Sequence, residues 1–200
     1  MALHQGIPRR PHSGTPPDGS GVLTVRDYHP SDEESWLRCR VLSFLHTSYY
    51  DDVLTRKPPV DVSLVAVDGD EVVGVLDAAI RAPLATIETI AVHPDHQRSG
   101  LGTRLLAEAI PRARALGATR LDAWTREDPQ ALGWYTRSGF TTGDMYLHVH
   151  TRDGEADDVL TTPPGVGLVS AFLHSHLREE ERMRERFSRV YRCTQFIMTI

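Results

Sequence analysis

The apolar positions of the chain change period several times, and each change marks an element. Leu101, Leu105, Leu106, Ala109, Ile110, Ala113 and Leu116 recur at three- and four-residue spacing, one face of an amphipathic helix, which Gly117 ends. Before it, Ile87 to Val92 reads as a short apolar strand closed by His93-Pro94. Val22 to Tyr28 alternates as a first strand. Ser31 with Glu34 then predicts a capping box for a helix carrying Trp36, Leu37, Val41, Leu45 and Tyr49 towards Leu54, broken by Lys57-Pro58-Pro59. Val60–Val67 and Glu71–Arg81 are β-rich runs about Asp68-Gly69-Asp70, a hairpin signal, and Gly74 inside the second marks a bulge or a close approach.

Thr119–Thr125 reads as a strand, Glu127–Arg137 as a short helix ended by Ser138-Gly139-Phe140, and Met145–Thr151 as another strand. After Pro163-Pro164-Gly165, the residues Val169, Phe172, Leu173, Leu177, Met183 and Phe187 predict a long amphipathic helix, with Glu180–Arg184 and Glu185–Arg189 paired along its polar face. Val190–Ile200 is the final strand. This order implies an α/β (α+β) fold, a mixed sheet with helices on its faces. Residues 1–21, rich in proline and glycine, read as a flexible arm; residues 22–200 read as one domain with an inserted helical segment at 155–189.

Composition narrows the class. Two hundred residues with 40% hydrophobic and 24% charged content are ordinary for a single globular domain. No apolar run approaches the roughly 20 residues of a membrane span, and the N-terminus has no signal-peptide core, so no membrane partner is expected. Cys39 and Cys193, the two cysteines, read as free thiols of a cytoplasmic protein. A net charge of −5 without a basic stripe argues against a nucleic-acid partner.

The turn Gln97-Arg98-Ser99-Gly100-Leu101-Gly102-Thr103 brings in chemistry. A helix N-terminus presents unpaired N–H groups and partial positive charge, and glycines let a ligand approach them, so a phosphate or pyrophosphate fits there. A plain strand-to-helix connection explains the turn alone equally well. A P-loop is excluded, since no Gly-x-x-x-x-Gly-Lys-Ser/Thr occurs, and Leu105 stands where a dinucleotide fingerprint needs its third glycine.

The turn has the form Gln/Arg-x-x-Gly-x-Gly/Ala after a strand, with Gln97, Gly100 and Gly102 at the defining positions. A second segment runs from Asp128 to Phe140, with Ala131, Tyr135, Gly139 and Phe140 in the register Asn-x-x-Ala-x-x-x-Tyr-x-x-x-Gly-Phe. In both, and in its strand order, the chain resembles the GNAT superfamily of acyl-CoA-dependent N-acetyltransferases over residues 22 to 150. The resemblance implies a mostly antiparallel central sheet with helices on both faces, here with an extra C-terminal helix before the last strand. It implies acetyl-CoA as co-substrate. Its pyrophosphate would be held by residues 97–103 (Gln97, Arg98, Ser99, Gly100, Leu101, Gly102, Thr103) and its pantetheine arm by the main chain of Ile90, Ala91 and Val92. Asp128 takes the place of the usual Asn at the cofactor, where it cannot donate an amide hydrogen bond.

The same resemblance assigns Tyr135 as the acid that protonates the leaving thiolate. Glu88, a carboxylate interrupting an apolar strand, is the base for the amine, or else a structural Glu bonded to its neighbours. His93 and His96 flank the turn, and His148 and His150 share a strand face. No third ligand stands at closing spacing, so no metal is expected. His148 or Tyr146 would line the acceptor pocket. The function implied is transfer of acetyl from acetyl-CoA to a primary amine of a small molecule or peptide by direct attack in a ternary complex. The alternative is a non-catalytic acyl-CoA-binding regulatory module. The C-terminal helix either covers the acceptor pocket or forms a homodimer contact.

Overall fold

The hairpin expected at Asp68-Gly69-Asp70 forms in the computed structural model, with Asp68 opposite Glu71 and Gly69 in the left-handed region at φ 59°. The structure describes residues 23–152, 154, 155, 157 and 159–200, so the 1–21 arm lies outside the described residues. In chain order the elements are β1 (Thr24–Asp27), α1 (Glu33–Phe44), β2 (Val62–Asp68), β3 (Glu71–Arg81), β4 (Leu84–Val92), α2 (Leu101–Ala115), β5 (Arg120–Arg126), α3 (Pro129–Arg137), β6 (Thr141–Arg152), β7 (Ser170–His176), α4 (Glu180–Arg186) and β8 (Arg189–Thr199). One eight-stranded sheet runs β1-β2-β3-β4-β5-β8-β6-β7, antiparallel throughout except for the parallel pair β4–β5.

The sheet is covered on both faces. Leu101, Leu105, Leu106, Ala109 and Ala113 of α2, and Tyr135 of α3, pack on Leu64, Leu76, Ile87 and Leu121. Trp36 and Cys39 of α1 pack on the other face against Val65, Val75 and Ala91. The helix α2 continues through Pro111, about three turns beyond its N-terminus. Gly74 meets both expectations at once. The β2–β3 register shifts beside it, and a Cβ there would lie 3.2 Å from Ala66 Cβ and from Leu105 Cδ1.

Three expectations are corrected. Ser31 is not the cap. A 3-10 turn, Pro30–Asp32, starts at His29, whose ring nitrogen accepts from Ser31 N while Asp32 Oδ2 accepts from His29 N at 2.8 Å. The first helix stops at Phe44 rather than running on to Leu54, because Arg40 draws Asp52 back against it, with Arg40 Nη2 donating to Asp52 Oδ2 at 2.7 Å.

The largest correction is in 165–189, where a strand stands in place of most of the expected long helix. Leu173 faces an apolar cluster with Leu147, Val149, Phe187 and Val190, while Phe172 and His174 point to the other face, a period of two. Backbone pairing with β6, from Tyr146↔His176 to Arg152↔Ser170, satisfies what would otherwise be an open sheet edge. Only Glu180–Arg186 is α-helical, entered through a 3-10 turn at Leu177–Glu179, so a helix does precede the last strand. The Glu180–Arg184 pair forms at 2.8 Å, but Arg189 turns away from Glu185 and pairs with Asp51.

Candidate active site

The site grows from one irregularity. In β4, Thr89 pairs with Asp77 and Ile87 with Ala78, leaving Glu88 as an extra residue without a partner across the ladder. The bulge reverses the strand's facing. Ile87 belongs to the cluster under α2, whereas Ala91 joins the cluster under α1, and Ile90 and Val92 turn to the α2 side. Glu88 itself is exposed. On its other edge β4 is paired to β5 only from Leu84↔Arg120 to Ile87↔Ala123. Beyond that point the two parallel strands part, and the β5-facing main-chain edge of residues 88–92 is open.

That edge leads into the turn. Gln97 Nε2 donates to Val92 O at 3.2 Å, tying the turn to the strand end, and Ser99 Oγ donates to His96 O at 2.5 Å. Arg98 at φ 62° and Gly100 at φ 82° both adopt the left-handed region. Gly100 is the N-cap of α2 and supplies no side-chain cap, so the N–H groups of the first turn keep the free positive end of the helix. Gln97, Arg98, Ser99 and Gly100 are exposed, as is Thr103, while Leu101 is buried as the helix's first core contact. A Cβ on Gly102 would lie 3.3 Å from Trp134 Nε1, so this glycine lets α3 close up on the start of α2. The geometry fits a bound diphosphate: main-chain donors with no side chain in the way at Gly100.

Asp128 caps α3, its Oδ1 accepting from Gln130 N at 2.9 Å and Ala131 N at 3.1 Å. Those bonds give the carboxylate a structural task of its own. About two turns on, Tyr135 is buried, its ring stacked on Phe196 at 4.9 Å and edge-on to Phe140 at 5.2 Å. Burial pushes its phenol well above the ordinary tyrosine range, and the neighbouring phenol of Tyr49 adds to the shift. The group is therefore a proton carrier at every working pH.

The sheet face opposite α2 brings Arg126 and Tyr49, which pattern reading did not single out as site residues, together with His148 and Tyr146. Tyr49, expected on a helix, sits in the loop after α1 with its hydroxyl accepting from Arg126 N at 2.9 Å. The Arg126 guanidinium lies over the Tyr49 ring at 4.3 Å and donates from Nε to His148 Nδ1 at 3.1 Å and from Nη1 to Ser48 O. His148 is stacked on His174 at 5.1 Å, and its Nε2 is 3.1 Å from Tyr146 Oη. Burial, and then Arg126, push His148 down to about 3, and His150 is lowered to about 4 by the same causes, burial first and then Arg189. Both imidazoles are neutral at pH 7. Period-two alternation from Trp124 would have placed Arg126 on this face; nothing in the sequence pointed to Tyr49.

Both cysteines are free and buried, and burial raises the Cys39 thiol to about 12. Among the described residues no group of three or more His, Cys, Asp or Glu side chains is placed to hold a metal ion, and no helix is long and apolar enough to cross a membrane.

Residues 23–140 match the sequence model of the acetyltransferase (GNAT) family. Among solved structures, the fold is similar to the ribosomal-protein-S18-alanine N-acetyltransferase from Escherichia coli, at TM-score 0.57 and 15% identity over 90% of this chain and 94% of that one. It is similar to the PaiA N-acetyltransferase from Thermoplasma acidophilum in complex with coenzyme A, at TM-score 0.53 and 16% identity over 61% and 91% of the two chains. A GNAT family acetyltransferase from Elizabethkingia anophelis with acetyl-CoA bound aligns at TM-score 0.50 and 17% identity over 92% and 99%. No curated protein matches significantly in sequence.

Proposed function

The chain belongs to the GNAT acetyltransferase family, and from that premise we propose that it moves an acetyl group from acetyl-CoA to a primary amine by direct attack in a ternary complex. The observation that carries this reading is the parting of β4 from β5 beyond Ile87, which opens a main-chain edge leading into the glycine turn of α2. A pantetheine arm can add to that edge as a strand does, with Ile90, Ala91 and Val92 supplying the hydrogen-bonding groups. The diphosphate then sits on the amides of the turn from Gln97 to Thr103. An N–H of the open edge polarises the thioester carbonyl.

Glu88, exposed at the bulge, takes the proton of the incoming ammonium directly or through a water. The free amine attacks the thioester carbon; a C–N bond forms and the C–S bond breaks. Tyr135 gives its proton to the departing thiolate and recovers one from the nitrogen as the amide forms, so one proton is released overall. The acceptor lies on the α1 side, where Tyr146 and His148 line the face. A thiol-release assay with acetyl-CoA across a broad panel of amines tests the reading. Turnover with at least one amine, yielding its N-acetyl product, is expected. Acetyl-CoA binding with no turnover on any amine would instead support a non-catalytic acyl-CoA-binding module.

A further inference from the structure

Among the described residues three arginines are buried, and two of them have a carboxylate. Arg40 is 5% exposed and pairs with Asp52 at 2.7 Å; Arg189 is 8% exposed and pairs with Asp51. Arg126 is 6% exposed and has none among the described residues. Its hydrogen bonds go to a main-chain carbonyl, Ser48 O, and to a neutral imidazole, His148, and its flat faces meet the rings of Tyr49 at 4.3 Å and Tyr191 at 5.4 Å. Nη2 makes no hydrogen bond to the described protein. A buried cation without an anion is costly, and the same chain avoids that cost at both of its other buried arginines.

The position of Arg126 decides which kind of anion it can meet. Arg126 is the last residue of β5, on the stretch that β4 has already left, so it stands on the far wall of the open edge along Glu88–Val92. Its side chain goes to the α1 side of the sheet, towards His148 of β6, and not to the α2 side where the glycine turn lies. One guanidinium whose Nη2 makes no bond to the described protein matches one carboxylate, the anion arginine pairs with best. The imidazoles around it are neutral at pH 7 and add no charge that would call for a dianion such as a phosphate. Beyond Arg126 the face continues as an aromatic ladder, with Tyr146 4.6 Å from His174 and the half-exposed Phe172 edge-on to His148 at 4.8 Å.

We propose that Arg126 binds a carboxylate on the acceptor, so that the amine acetylated is that of an amino acid whose side chain lies along the His148–His174–Phe172 ladder. This rests on the amine-acetylation reading above and gives its acceptor a chemical class. Arg126 acts here in substrate binding, and the residues that hold it (Ser48, Tyr49, Tyr191) set its orientation.

The test pairs amino acids with the amines left by their decarboxylation: phenylalanine with phenethylamine, tryptophan with tryptamine, histidine with histamine. Each is offered with acetyl-CoA and followed by thiol release. In parallel, calorimetric titration of N-acetylphenylalanine into the protein with coenzyme A reads carboxylate binding without turnover. In the wild-type protein the amino acid should exceed its decarboxylated partner in kcat/KM by about tenfold or more, the scale of one charge-assisted hydrogen bond. In Arg126→Gln, whose amide nitrogen stands where Arg126 Nε donates to His148 Nδ1, that ratio should fall to about one, with folding checked by a thermal melt. Amine turnover without preference for the carboxylate in the wild-type protein overturns this inference and leaves the acetyltransferase reading standing; it needs no variant. Carboxylate binding lost in Arg126→Gln, with no amine acetylated, supports the site and sinks the amine reading. Neither turnover nor binding overturns both. A loss of coenzyme A affinity in Arg126→Gln at an unchanged substrate ratio would assign the arginine to the donor instead.

Discussion

Replacing Tyr135 by Phe removes one oxygen and little else. The ring is held by a stacked contact to Phe196 at 4.9 Å and edge contacts to Phe140 at 5.2 Å and Trp134 at 4.9 Å, all of which a phenylalanine retains. Stability should therefore change by less than about 1 kcal/mol, since the packing volume is conserved. The chemistry should change far more. If the phenol is the group that protonates the leaving thiolate, its loss costs the usual contribution of a positioned acid, about 100- to 10,000-fold in kcat. Coenzyme A affinity, which the turn and the β4 edge supply, should stay within about threefold of the wild type. Burial raises the phenol above the ordinary tyrosine range, so it stays protonated and no fall in kcat below about pH 10 is traceable to it. For the same reason it weakens the fold only in strong alkali. A folded-state pKa above the unfolded one contributes stability that is intact below about pH 10 and lost as pH rises beyond it. Single-turnover thiol release with saturating acetyl-CoA, beside calorimetry with coenzyme A, measures both quantities. A kcat within about threefold of the wild type would refute the assignment and leave the leaving thiolate to be protonated by water or by Tyr49.

Glu88→Gln keeps the bulge and its exposed side chain but removes the base; turnover of an accepted amine should fall at least about tenfold near neutral pH with coenzyme A affinity little changed, and an identical rate across the pH range would take Glu88 out of the mechanism. Lys57→Met should cost about 3–5 kcal/mol in urea unfolding, because it strands Asp77, whose carboxylate lies 3.2 Å from Lys57 Nζ in a site closed by Tyr28 and Trp36. Adding Asp77→Asn to that variant should recover part of the loss, and no recovery would mean that the lysine matters through its packing. The lowered pKa of His148, about 3, and of His150, about 4, sets an acid sensitivity. The unfolded chain binds protons at these imidazoles from about pH 6.5 downward while the fold excludes them, so stability is complete above that pH and declines as pH falls towards the folded values. The drop in melting temperature between pH 7 and pH 5 should be shallower in His148→Gln, and an unchanged slope would place the acid response elsewhere.

The elements were legible where one periodicity ran long enough to be unambiguous. The face of α2 from Leu101 to Ala113 is buried as its spacing implied, and the Glu71–Arg81 strand has the bounds read for it. The C-terminal stretch failed for a reason visible in its residues. Val169, Phe172, Leu173 and Leu177 lie three, one and four apart, which fits a helix, yet Phe172 and Leu173 face opposite sides of a strand. What decides between the two is the bare edge of β6, a tertiary demand that no local pattern contains. The loop after α1 was opaque in the same way. Tyr49 and Asp51 are held there by Arg126 and Arg189, about 80 and 140 residues away in sequence, and spacing carries no information about such partners.

A carboxylate breaks the apolar strand at Glu88, and the bulge there coincides with the end of pairing to β5. An unbulged β4 would keep its alternation: residue 88 would point away from the cluster under α2, and Ala91 would fall on that cluster's side instead of under α1. The extra residue reverses the facing at just the point where pairing to β5 stops, at Ile87↔Ala123. The inserted residue turns an acid outward at the place where the β4 edge loses its neighbouring strand. A variant that deletes Glu88 tests the coupling more sharply than any substitution there. If the bulge alone holds the strands apart, the deletion should restore regular pairing past Ala123 and abolish coenzyme A binding together with turnover, with the melting temperature equal to or above the wild type. Coenzyme A binding that survives the deletion would mean that α2 and α3, which meet at Gly102 and Trp134, hold the cleft open without it.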